Sequence, residues 1–73
     1  MTANELLRAE LDRLNTRRLA LLKERRTHGL YGRQAEELDS LQLETANLRM
    51  LLFPMPWDTL AELEAEVKAR GLA

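Results

Sequence analysis

Seventy-three residues, 45% hydrophobic, 32% charged and 4% aromatic, make room for one small domain and exclude a separate substrate domain, because a chain this short buries little surface. The formal net charge is -1 and cysteine is absent, which excludes a disulfide framework and thiolate metal sites and suits a reducing compartment, the cytoplasm. Seventeen leucines and nine alanines stand against one valine and no isoleucine, so the composition favours helices over sheet and an all-α chain is expected.

The pattern Thr2-Ala3-Asn4-Glu5 is a capping box, and it starts a first helix over about residues 3–28. Along it Leu7, Leu11, Leu14, Arg18, Leu21 and Arg25 follow spacings of 4, 3, 4, 3 and 4, one stripe with Leu22 beside it. Gly29 suits a left-handed helix end, and Lys23, Arg25, Arg26 and His28 before it favour the negative end of the helix dipole.

A second helix follows over about residues 33–53, free of proline and glycine, with Glu36, Glu37 and Asp39 in its first turns. Gln34, Leu38, Leu41, Thr45, Leu48 and Leu52 repeat the 4-3-4-3-4 spacing, and the short link between the helices makes them antiparallel neighbours. The predicted register sets Leu7 near Leu52, Leu14 near Thr45 and Arg25 near Gln34. Two readings fit the seam arginines: Arg18 and Arg25 lock the register with Glu37 and Glu44, or both extend outward on their aliphatic stems.

Pro54-Met55-Pro56 stops the second helix and makes a corner. Thr59-Leu60-Ala61-Glu62, with Asp58 as a rival cap, then starts a third helix over about residues 59–70, in which Leu60, Leu63 and Val67 form a stripe ending near Gly71. The whole is read as one domain, residues 1–73: an antiparallel, coiled-coil-like two-helix hairpin plus a short C-terminal helix, assembling into a helical bundle. Trp57 at the corner either clamps the third helix on the second or stands exposed as a contact. Tyr31 is expected as a lid packed over Leu30 and Leu38.

Enzymatic inventories are missing, since there is one histidine, no cysteine, and neither a glycine-rich phosphate loop nor a nucleophile elbow. His28 follows Arg25, so the Glu-x-x-His of a di-iron bundle is absent too, and Glu36, Glu37 and Asp39 read as a solvated helix start. The expectation is a chain with no catalytic, cofactor or metal site and no small-molecule substrate. The apolar run 50–56 is far below the ~20 residues of a membrane span, and no signal pattern opens the chain, so no membrane partner is expected. Nine arginines to two lysines, with the alanine and leucine excess, suggest GC-rich coding, as in a high-GC bacterium or its phage.

The second helix carries a further apolar edge, Leu43, Ala46, Met50 and Phe53, roughly opposite its seam stripe. A three-turn helix covers only part of it, and a lone seam containing arginines leaves a chain of this size little surplus stability. The partner-binding residues are therefore read as Leu43, Met50, Phe53, Met55, Trp57 and Leu60, joining this chain to a like chain in a homodimer or to a larger protein. The alternative is a small nucleic-acid-associated regulator. Residues 1–33 hold eight Arg/Lys against four Asp/Glu and residues 34–73 three against eight, and Arg17, Lys23, Arg26 and Arg33 at the hairpin tip are the candidate phosphate contacts.

Overall fold

The computed structural model describes residues 2–53 and 59–72. They form three helices, α1 (Ala3–Thr27), α2 (Arg33–Leu52) and α3 (Thr59–Ala69), and no strand is found among the described residues. Helices α1 and α2 make an antiparallel hairpin, and α3 lies along one flank of its open end.

The ends of the helices follow from local chemistry. The Thr2 hydroxyl accepts from the Glu5 amide at 3.2 Å, satisfying one of the unpaired donors of the first turn of α1. At the other end the His28 and Gly29 amides donate to the Glu24 and Arg25 carbonyls, at 2.8 and 3.1 Å, and Gly29 takes φ +79°, a conformation that other side chains rarely adopt. Helix α3 ends in a Schellman turn: the Leu72 amide donates to the Val67 carbonyl, the Gly71 amide to that of Lys68, and Gly71 has φ +69°. This turn folds Leu72 back against the core. Asp58 and the side chain of Thr59 lie outside the described residues, and so does the choice of cap for α3.

Leu7, Leu14 and Leu21 of α1 pack with Leu38, Leu41, Leu48 and Leu52 of α2 and with Leu63 and Val67 of α3. Thr45 is buried among them, its hydroxyl donating to the Leu41 carbonyl at 2.8 Å, so it brings no unsatisfied polar group into the seam. The apolar seam stops before the tip, where Arg25 and Gln34 are exposed. The molecule measures 44 × 23 × 17 Å with a radius of gyration of 14.1 Å. A spherical chain of this length would have about 11 Å, so this one is a rod, with much of each helix left facing outward.

Three expectations need correction. Tyr31 is 81% exposed and is no lid, because the ring lies back over Gly29, where a Cβ would stand 3.4 Å from the phenol oxygen, instead of reaching Leu38. Leu60 does not continue the buried stripe of α3. It is 66% exposed although it lies within about 20° of Val67 around the helix, because it stands in the first turn of α3, where it borders an open groove beside the start of α1. The seam arginines do not make the expected lock with Glu37 and Glu44. Arg17, not Arg18 or Arg25, spans the seam to Glu37, through Nε at 2.7 Å and Nη2 at 3.2 Å. Arg18 turns along its own helix to Asn15, and Glu44 faces Arg70 of α3 at 3.6 Å. The reason is angular: Arg17 and Glu37 sit on the flanks of their helices, where long side chains reach across without entering the dry centre.

Candidate protein-contact surface

Leu43, Met50 and Phe53 are 64%, 74% and 73% exposed, and Ala46 between them is exposed as well. At about 100° per residue these four positions fall on one edge of α2, roughly 150° from the stripe that holds Leu38, Leu41, Thr45, Leu48 and Leu52. Helix α3 does not cover this edge. It sits on another flank, where Glu44 and Leu51 approach it, and there the Arg70 guanidinium joins Glu44 to Glu66, the latter at 2.6 Å. The edge is therefore not core beneath the third helix.

Phe53 lies near the Arg8 guanidinium, whose carbon is 5.8 Å from the ring centre. That is cation–π range, and it holds the ring beside α1 at the rim of the exposed edge. Periodicity gives no sign of Arg8, since its partner lies 45 positions away and nothing in the α1 stripe signals it. On the same flank Asn15 Oδ1 accepts from Arg18 at 3.0 and 2.7 Å and from Arg49 of α2 at 3.3 Å, a second tie across the hairpin opposite the Arg17–Glu37 pair.

The residues assigned to contact are not all brought together. Leu60 borders a groove of about 550 Å³ between α3 and the start of α1, with Ala3, Leu6 and Val67 as its apolar wall. Met50 borders another, of about 450 Å³, on the opposite flank of α3, with Glu62, Glu66 and Arg70. The third helix thus separates Leu60 from the Leu43–Met50–Phe53 edge. Met55 and Trp57 lie outside the described residues.

The tip arginines also divide. Lys23, Arg26 and Arg33 are exposed, with no carboxylate within 4.0 Å among the described residues. Arg17 is already engaged: its two bonds hold the Glu37 carboxyl below the ordinary glutamate range, and Glu37 in turn raises the Arg17 guanidinium. No described helix is long and apolar enough to cross a membrane. The chain matches no family model, no curated protein and no solved structure, so the surface must be read from its own chemistry.

Proposed function

We propose that this chain is a non-enzymatic protein–protein interaction module of the cytoplasm, which works by burying the outer edge of α2 against a like chain or a larger protein. One observation carries the reading: three large apolar side chains stand more than three-fifths exposed in one stripe, on a helix whose other side is already packed. Removing such side chains from water contributes about 1.5–3 kcal/mol each when burial is complete. A thioether that adapts its shape and an aromatic ring held by Arg8 suit a contact centre. The test is site-specific photo-crosslinking in cells that express the protein, with a benzophenone amino acid at Met50 or, as control, at the exposed Asp12 of α1. Adducts of either kind, to itself or to another protein, are expected from position 50 and not from 12; none from position 50 would end the reading.

A second reading, nucleic-acid association through the tip, is favoured by the exposure of Lys23, Arg26 and Arg33, with no carboxylate within 4.0 Å of them among the described residues. It loses Arg17 to Glu37, and with it one of four candidate contacts. Its mark would be binding that weakens steeply with salt and is lost in Arg26→Glu. Where no nucleic acid binds, the same cations serve as an electrostatic guide for a partner.

A further inference from the structure

Two sides of α2 are occupied within the chain. At about 100° per residue, the stripe that meets α1 and the flank that meets α3, with Glu44 and Leu51, stand about 100° apart, and Leu43, Asn47 and Met50 face away from α1. We propose that this third side takes an amphipathic helix of an unlike protein, with Lys or Arg along one border of its apolar stripe and Asp or Glu along the other. The proposal rests on the contact-surface reading above and names the class of partner.

The charges on the two borders of the open side are what select this partner. Toward α3, Met50 and Leu51 share the groove of about 450 Å³ with Glu62 and Glu66, which stand about one turn apart. Glu62 is exposed and has no Lys or Arg nitrogen within 4.0 Å among the described residues. Arg70 is already held between Glu66 and Glu44, so three carboxylates stand against one guanidinium on that border. Toward α1 the sign reverses. Arg8 stands over the Phe53 ring and Arg49 donates to Asn15 at 3.3 Å, and neither has a carboxylate within 4.0 Å among the described residues.

The backbone of the occupant follows from what the site lacks. The described residues are helices joined by turns and present no strand edge, so a docked segment has to satisfy its own amides and carbonyls. A helix does this internally, and the space beside two packed helices is where a further helix seats in a bundle. Leu43 to Phe53 spans about 15 Å along α2, so three turns of apolar stripe cover the site.

On such a helix the residues beside the apolar stripe fall over the two borders of the site. Cations on one side meet Glu62 and Glu66, and carboxylates on the other meet Arg8 and Arg49. Like charges are repelled on either border, so the layout excludes helices of a single sign and fixes the direction in which the docked helix runs. One three-turn helix makes a small interface, so the contact is transient, with a dissociation constant on the order of 10–100 μM.

Three synthetic peptides of about 18 residues, each with one leucine stripe, test the partner class. One carries lysine on one border and glutamate on the other, one lysine on both, and one glutamate on both. Each is titrated into the isotope-labelled chain, and the amide shifts give the site and the affinity. The mixed peptide should shift residues 43–53 and Glu62 and Glu66. An exposed ion pair contributes up to about fivefold, so with several pairs the mixed peptide should bind at least fivefold more tightly than the others. It should lose about tenfold in Glu62→Lys and in Met50→Glu, with the helicity of both variants unchanged by circular dichroism. Equal affinity for the three, or a tighter peptide of single sign, would overturn the partner class. Shifts centred on the tip, or on the groove beside Leu60, would overturn the site. If no peptide binds, the helical partner is overturned, while crosslinks from position 50 would still uphold the contact surface; failure of both tests would end both readings. Crosslinks from position 50 to the chain itself alone would make a second copy the occupant and overturn the unlike partner.

Discussion

Leu43 and Leu48 lie five residues apart on one helix, and the account gives them opposite fates on truncation. Leu48 is fully buried in the open-end half of the hairpin, 0% exposed, whereas Leu43 is 64% exposed. In Leu48→Ala the lost transfer energy and the cavity left behind cost about 2–5 kcal/mol. A domain of this size holds about 3–5 kcal/mol from its core, so a large share of the molecules should be unfolded at room temperature. In Leu43→Ala the removed side chain is largely in water on both sides of the transition, and alanine is the better helix former, so stability should stay within about 0.5 kcal/mol of the parent. Urea and thermal melts followed at 222 nm, at a few micromolar so that any dimer is dissociated, read both variants. Since about 1 kcal/mol moves the midpoint of a domain this small by 4–8 °C, the two melts should differ by about 10 °C or more. Equal losses would refute the reasoning, because Leu43 would then be core and α2 would be covered on both sides.

Thr2→Ala should remove the cap of α1 and cost about 0.5–2 kcal/mol, seen as faster amide exchange confined to the first turn. Glu37 should titrate below the ordinary glutamate value of about 4.3 in a carboxyl-detected NMR titration, and Arg17→Met should return it to that value. The sign follows from the depressed value in the folded chain: the pair's contribution is present above the unfolded glutamate range and is lost as pH falls through the lower folded value. Glu37→Gln should flatten that part of the acid limb of the stability curve. Glu44→Lys should act on the third helix and not on the hairpin register, because Glu44 faces Arg70. Amide exchange should quicken in Leu63–Ala69 and stay unchanged at Leu14 and Leu41, with a global loss below about 1 kcal/mol for so exposed a pair.

Much of the architecture is legible in the residue pattern. The capping box at Thr2–Glu5, the glycine at position 29 and the 4-3-4-3-4 spacings mark the two long helices of the hairpin, the Thr59–Glu62 pattern and Gly71 mark the third, and the stripes include the buried Leu7, Leu14, Leu21, Leu38, Leu41, Thr45, Leu48 and Leu52. Periodicity gives the direction in which a side chain leaves its helix, but not what stands on that side. For this reason the apolar edge of α2 was legible, while the flank chosen by α3, the exposure of Leu60 and the grooves on either side of α3 were not. Long polar side chains are harder still. Arg17, Arg18 and Arg49 choose among several acceptors within reach, and the choice of Glu37 or Asn15 depends on helix rotation, which a spacing does not fix. Tyr31 was misread because two glycines at positions 29 and 32 free the turn to carry the ring back over Gly29.

The central claim, that the outer edge of α2 is open on the single chain and closed by association, meets its most direct test in hydroxyl-radical oxidation of Met50. The reaction should be followed by mass spectrometry on the purified chain at a few micromolar and in cells that express the protein. On the purified chain a side chain 74% exposed should oxidise at nearly the rate of a free methionine, and in the cells several-fold more slowly, each read against free methionine in the same sample. Slow oxidation of the purified chain would place Met50 beneath its own chain, and equally fast oxidation in both would show that no partner covers it.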